Sequence, residues 1–129
     1  MSEHTSETYR SLISISMEGL KTLLLINGGA IVALLAYLGQ SPQGPRIAPH
    51  VWLPLGSFVA GVGFSALAFV GSYATQFALY NESVFATTYK GPRHMTFLWA
   101  TVGLVAAGFI SFAVGAFSSV AVLASQAPP

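Results

Sequence analysis

Three long apolar stretches without a charged residue dominate this chain, at roughly 22–39, 51–80 and 95–124. Each holds about 18 residues or more, which as a helix is enough to cross a hydrocarbon core of about 30 Å. Only 7% of the chain is charged, whereas a soluble domain is about 25% charged. Too little polar surface remains to cover a soluble fold, so the sequence predicts an all-α membrane protein.

The predicted architecture is a single membrane domain over residues 1–129 with three transmembrane helices, at about 22–39, 54–80 and 95–124. In the preceding segment, about 8–21, apolar residues recur at spacings of three and four and form one helical face. No proline separates this segment from the first span. The two are therefore predicted to form one extended amphipathic N-terminal helix of about 48 Å. Its amphipathic end packs in the membrane interface, on itself or on a partner.

The distribution of basic residues predicts the orientation of the chain, because cytoplasmic loops carry the excess of Lys and Arg. With three spans, the N-terminus and the second loop lie on one side. That side carries four basic residues and the other carries Arg46 alone; the four are Arg10, Lys21, Lys90 and Arg93. We expect a cytoplasmic N-terminus and a C-terminus on the opposite side of the membrane. Acidic residues near the start argue against a cleaved signal peptide.

Small residues recur every four positions along the third span: Gly103, Ala107, Ser111, Gly115 and Ser119. The first span has a shorter version in Gly29 and Ala33. Such faces let another helix backbone approach closely. Packing within the monomer and packing between copies both remain open.

Polar residues in all three spans are predicted to lie at similar depth near the cytoplasmic face: Asn27, Gln76 and Thr101. Side-chain amides in lipid need hydrogen-bond partners. We therefore expect a polar clamp that fixes the register of the helices. A ligand or ion vestibule is the alternative.

The sequence offers little for catalysis or metal binding. Cysteine and aspartate are absent, and every glutamate lies outside the apolar stretches. The three histidines lie in loops or near a terminus without metal-ligand spacing, at His4, His50 and His94. No Gly-x-Ser-x-Gly occurs, and a net charge of +1 disfavours a nucleic-acid partner. We expect no enzyme activity, cofactor or metal.

The run at 19–35, GLKTLLLINGGAIVALL, resembles the first span of small, uncharacterised bacterial inner-membrane proteins with three spans. The later Tyr73-Ala-Thr-Gln76 and Tyr80-Asn-Glu82 are similar to their second span. This resemblance implies a location in the bacterial inner membrane, which would place the C-terminus in the periplasm, and it implies no activity. Arg46-Ile-Ala-Pro-His50 is similar to an element of succinate dehydrogenase membrane anchors, whose haem-ligating histidine lies within a helix. Phage holins share the size and the number of spans.

The leading hypothesis is a non-enzymatic structural or accessory subunit that associates through its small-residue helix faces. Its partners would be the lipid bilayer and either further copies of itself or a larger membrane complex. The alternatives are a homo-oligomeric pore or holin-like protein, and a membrane anchor of a respiratory complex.

Overall fold

The computed structural model describes residues 3–42, 48–85 and 90–125, and over these ranges the chain forms three α-helices. Helix α1 runs over Glu3–Gln40, α2 over Trp52–Val84 and α3 over His94–Ala124. One 3-10 turn, Ala48–His50, precedes α2, and no strand occurs in the described ranges. The predicted all-α fold with three transmembrane helices and an extended N-terminal helix is confirmed.

All three helices are long and apolar enough to cross a membrane. Their 38, 33 and 31 residues correspond to about 57, 50 and 46 Å, beyond a hydrocarbon core of about 30 Å. Many large apolar side chains point outward, and the exposed fraction reaches 79% for Phe117 and 72% for Trp52. Helices that are apolar on their outer faces need lipid as solvent. The chain is a multi-pass membrane protein.

Helix α1 joins the amphipathic segment to the first apolar stretch without a break, as predicted. It begins at Glu3, earlier than the expected start near Thr8, and ends before Ser41, which precedes Pro42 and is disfavoured in a helix for that reason. Gly28 and Gly29 stay helical in its middle. In lipid their backbone groups have no water to bond with, so the helical hydrogen bonds are retained.

The ends of α2 follow from local chemistry. Pro54 lies in the first turn, where its missing N–H leaves no helical bond unmade. At its other end α2 continues through Val84, beyond the apolar stretch that ends at residue 80. Arg46, the one basic residue assigned to the far side of the membrane, lies outside the described residues, as does the tail at 126–129.

The helices pack as an antiparallel α2–α3 hairpin with α1 laid against it. The α2–α3 interface is by far the largest, α1 packs mainly on α2, and the interface of α1 with α3 is the smallest of the three. The buried apolar side chains are few and line these contacts: Leu20, Leu23, Val51, Phe58, Ala68 and Ala78. The interior is therefore a thin seam between helices whose outer faces are left for lipid or for other protein.

Candidate functional site

The three helices meet at a notch that glycines open in α2 and α3. Leu23 and Asn27, one turn apart on α1, both have fully buried side chains. Leu23 Cδ2 lies 2.8 Å from the position that a Cβ on Gly108 would occupy, and the Asn27 amide lies directly on the corresponding position at Gly61. A methyl group at either glycine would overlap with α1. Glycine therefore sets how closely the helices approach.

Asn27 is held in this notch by packing more than by hydrogen bonds. Its Nδ2 donates to the Leu23 carbonyl at 3.0 Å. Its buried Oδ1 receives no N–H or O–H donor from the described residues. Oδ1 instead packs against Gly61, at the position that a Cβ would occupy. An unsatisfied buried acceptor costs about 1–3 kcal/mol, which the packing around Asn27 must offset.

The α2–α3 interface is packed in the same way: a side chain of one helix packs against a glycine of the other. Thr101 of α3 lies on Gly71 of α2, and Phe58 of α2 lies on Gly115 of α3, with Phe58 Cε1 2.7 Å from the position of a Cβ. Thr101 Oγ1 donates to the Phe97 carbonyl at 2.8 Å, so the hydrogen bond of this hydroxyl group is made within its own helix. Each helix of the hairpin thus supplies two glycines that receive a neighbouring side chain.

Beyond the notch, the N-terminal half of α1 separates from α3 and leaves a cavity of about 610 Å³ over α2, here called the α1–α3 groove. A second cavity of about 340 Å³ continues it towards Phe109 and shares four of its residues. The groove is lined by Tyr9, Leu12, Ile13, Ser16, Met17, Phe69, Ser72, Tyr73, Thr75, Gln76, Leu98 and Thr101. Its lining is mostly apolar, with hydroxyl groups along the floor.

The polar groups of the groove are largely satisfied by protein. Tyr9 Oη donates to Gln76 Oε1 at 2.8 Å and links α1 to α2 at the rim. Ser16 Oγ and Thr75 Oγ1 each donate to the carbonyl four residues earlier in their own helix, at 2.8 Å. These two hydroxyls therefore present only oxygen lone pairs to the groove. Such a surface accepts hydrogen bonds from a ligand but holds no acid–base pair.

Glu82 and His94 close the α2–α3 hairpin outside the apolar stretches. Glu82 Oε1 accepts the backbone N–H of His94 at 2.6 Å, and Glu82 Oε2 lies 2.7 Å from His94 Nδ1. The carboxylate thereby caps the first turn of α3, a place that favours negative charge. The two hydrogen bonds from His94 lower the pKa of Glu82 from its ordinary value of 4.5, and the positive charge of Arg93 adds to this.

The structure does not bring the three residues of the predicted polar clamp together. Asn27 lies level with Gly61, and Gln76 lies 15 residues further along α2, about 22 Å away. Gln76 is exposed and bonds to Tyr9 instead. Thr101 lies on Gly71 between these two levels.

The small-residue stripe of α3 lies on more than one side of the helix. Gly115 is buried against Phe58, whereas Gly103 is exposed and has nothing within 4 Å of a Cβ position. The remaining members, Ala107, Ser111 and Ser119, are half-buried. On α1, both Gly29 and Ala33 are exposed. Ala33 and Ser119 line a third cavity, of about 300 Å³, at the other end of the α1–α3 seam.

The buried positions of α3 lie at seven-residue spacing, a pattern that the sequence reasoning missed although it had singled out Thr101 and Gly115. Thr101, Gly108 and Gly115 are the buried positions of α3. A period of seven is the mark of helices that pack side by side over a long distance. The Glu82–His94 pair had no comparable signal, because its two members belong to different helices and meet only once the hairpin has formed.

Over residues 3–42, 48–85 and 90–125, no group of three His, Asp or Glu side chains could hold a metal ion. Comparisons with known proteins find no family model that matches the chain, no similar curated protein and no similar solved structure.

Proposed function

We propose that this membrane protein is a small, non-enzymatic structural or accessory subunit that associates with other helices through small-residue faces. The observation that carries the proposal is a contrast between two sets of glycines. Glycines on the inside of the bundle receive a neighbouring side chain, as Gly61 receives Asn27. Glycines on the outside have open space where a Cβ would lie: Gly29, Gly56, Gly63 and Gly103.

The outward glycines lie within the apolar stretches, where lipid surrounds the helices. Gly56 and Gly63 are seven residues apart on α2, with the exposed Ala60 between them. A glycine in a helix costs about 1 kcal/mol relative to alanine. A flat helix face offsets that cost when a second helix packs closely on it, because van der Waals contact drives association in lipid.

The hydrogen bonds of the hydroxyl groups also favour a structural role. Ser65, Thr101 and Ser119 each donate to the carbonyl four residues earlier in the same helix, at 2.7–2.8 Å. A proton relay needs groups that pass protons to one another across helices. These hydroxyl protons are instead committed to the local backbone.

The location in the bacterial inner membrane, with a cytoplasmic N-terminus and a periplasmic C-terminus, belongs to the same proposal. The orientation is supported by the clustering of basic residues at the end of the bundle where α1 begins: Arg10, Lys90 and Arg93. Fusion of alkaline phosphatase to the C-terminus should give an active enzyme, since that enzyme folds only in the periplasm. An inactive phosphatase with a fluorescent cytoplasmic reporter at the same position would contradict the orientation.

The association is tested by native mass measurement in mild detergent. We expect the wild type to run as a species larger than one chain. Gly103→Leu should shift a complex that uses the α3 face towards the monomer, and Gly63→Leu should do the same for the α2 face. Val102→Leu, on the exposed side of α3 beside Gly103, is the matched control and should leave the mass unchanged. A wild-type protein that is monomeric in both detergent and membranes would contradict the proposal.

A homo-oligomeric pore or holin-like protein is a second candidate, which the α1–α3 groove favours. Copies that turned this groove towards a common axis would place the oxygens of Ser16, Ser72 and Thr75 along a path. Ion flux through liposomes, lost on Ser72→Leu, is the expected result for a pore. Sealed liposomes at high protein density would count against it, and a haem absorption band would favour a respiratory anchor instead.

A further inference from the structure

Exposed aromatic side chains mark two levels of the bundle that are about one membrane core apart. Trp52 and Tyr73, both on α2, are 72% and 73% exposed. Trp99 of α3 is 69% exposed and lies level with Tyr73, because Thr101, two residues further on, contacts Gly71. The 21 residues from Trp52 to Tyr73 span about 32 Å. This matches a hydrocarbon core of about 30 Å, whose two boundaries Trp and Tyr favour.

An ion pair of α1 lies between these two levels. Lys21 Nζ is 2.9 Å from Glu18 Oε1. Helices α1 and α3 run parallel, and Leu23 contacts Gly108. By this register, Glu18 and Lys21 lie about 6 and 10 Å inside the level of Trp99.

The pair faces away from the rest of the bundle. The side chains of Glu18 and Lys21 are 69% and 54% exposed, so neither α2 nor α3 covers them. Charged side chains inside a membrane normally face protein or water, because hydrocarbon offers them no hydrogen bonds. One bond between the two groups leaves an oxygen of Glu18 and N–H donors of Lys21 to be satisfied by something outside the described chain.

The same face of α1 continues towards the centre of the membrane with apolar and small residues. Leu25, 71% exposed, and Val32, 67% exposed, lie seven and fourteen residues after Glu18. Between them, Gly28 and Gly29 have open space at the Cβ position. Together these residues form a stripe at spacings of three and four, the pattern of helices that pack side by side. We call it the outer stripe of α1; it comprises Ser14, Glu18, Lys21, Leu25, Gly28 and Val32.

We propose that the outer stripe of α1 is the interface with a second copy of this chain, in which two α1 helices pack in parallel about a two-fold axis normal to the membrane. The charges argue for a second copy over a foreign helix. A two-fold axis makes each surface meet itself, so Glu18 of each copy lies within one helical turn, about 4.5 Å in depth, of Lys21 of the other. The stripe is neutral and self-complementary. Gly28, which lies closer to the centre of the membrane than the charged pair, lets the two backbones approach closely. This inference rests on the proposed association and specifies its face and partner.

Cysteine cross-linking in native membranes tests the interface directly. The chain has no cysteine, so each introduced residue reports alone. We expect Leu25→Cys and Val32→Cys to form disulfide-linked dimers under mild oxidation. The matched controls are Val70→Cys on α2 and Phe117→Cys on α3, which are 65% and 79% exposed on other helices. Dimers from the controls with none from α1 would overturn this interface and leave association through another face intact. Monomers at all four positions would overturn both.

Charge reversal tests the pairing between copies. In the Leu25→Cys background, Glu18→Lys and Lys21→Glu each place like charges across the axis and should lower the dimer yield about tenfold. Co-expression of the two variants should restore it as a mixed dimer, since one chain is then basic on this stripe and the other acidic. Yields are compared per amount of inserted protein, so a variant that inserts poorly does not mimic the effect. Unchanged yields from the single variants, or no recovery in the mixture, would overturn the proposal.

Discussion

Substitution of Gly61 by alanine tests the notch at which α1 crosses the hairpin. A Cβ at this position would lie within 3.0 Å of all three terminal atoms of the Asn27 amide. The amide has no room to move aside, because Asn27 is fully buried. Either α1 shifts outward or the Asn27 side chain leaves its rotamer, and overpacking of this kind typically costs about 1–3 kcal/mol. We expect Gly61→Ala to lower the free energy of unfolding by about 2 kcal/mol.

The chain offers a close control and a rescue for this substitution. Gly63 lies two residues away on the same helix with open space at its Cβ position, so Gly63→Ala should stay within about 0.5 kcal/mol of the wild type. Asn27→Ala removes the amide that the new methyl would strike. The double variant Gly61→Ala, Asn27→Ala should therefore recover at least about 1 kcal/mol relative to the sum of the single changes.

Unfolding titrations in mixed micelles, followed by circular dichroism, measure all four proteins under one condition. The decisive quantity is the sign of the coupling free energy between the Gly61→Ala and Asn27→Ala substitutions, because a general loss of stability cannot produce recovery in the double variant. Equal stability of Gly61→Ala and Gly63→Ala would refute the argument. A double variant no better than the sum of the two single changes would refute it as well.

Three further outcomes are expected from other parts of the structure. Gly115→Leu should destabilise the α2–α3 hairpin by about 2 kcal/mol or more in the same titration, because the added side chain would overlap the ring of Phe58. The hydrogen bonds from His94 lower the pKa of Glu82, so its carboxylate should stabilise the fold fully above pH 4.5, and this contribution should fade as the pH falls through the lower, folded-state pKa. Glu82→Gln should flatten that part of the stability–pH curve. Tyr9→Phe removes one exposed hydrogen bond between α1 and α2 and should change stability by only about 0.5 kcal/mol.

Each of these outcomes has its own check. Gly103→Leu, on the open side of α3, should not destabilise the monomer, and an equal loss there would show that Gly115 is not special. A stability–pH curve with the same acid limb in Glu82→Gln would show that the helix cap contributes nothing. A loss above about 2 kcal/mol in Tyr9→Phe would mean that the rim bond positions the whole of α1.

The number and length of the helices could be read from the sequence, because an uncharged apolar run of this length has no stable alternative in lipid. The register of α1 could not. The start of the uncharged stretch at Thr22 was the only available marker of depth, whereas the contacts of Tyr9 with Gln76 and of Asn27 with Gly61 set the real alignment. The amphipathic half of α1 thus lies beside the apolar part of α2.

Which glycines face inward was equally beyond sequence reasoning. Gly61 and Gly63 stand two residues apart in the same apolar run, yet one receives Asn27 and the other has open space. In an amphipathic helix of a soluble protein, the neighbouring polar residues would show which of the two glycines faces outward. A helix that is apolar on every side carries no such marker, so only the neighbouring helices decide.

The contacts of α1 with the hairpin affect the order in which the helices pack during synthesis. Leu23 gains its buried contact from Gly108, which is synthesised 85 residues later. Of the three helices, α1 therefore enters the bilayer first; Asn27 can pack on Gly61 once α2 follows, but Leu23 has no partner at Gly108 until α3 is made. Helices α2 and α3, adjacent in the chain and joined by the largest interface, pair as soon as both are present. Of these three helices, the one made first is thus the last to complete its contacts.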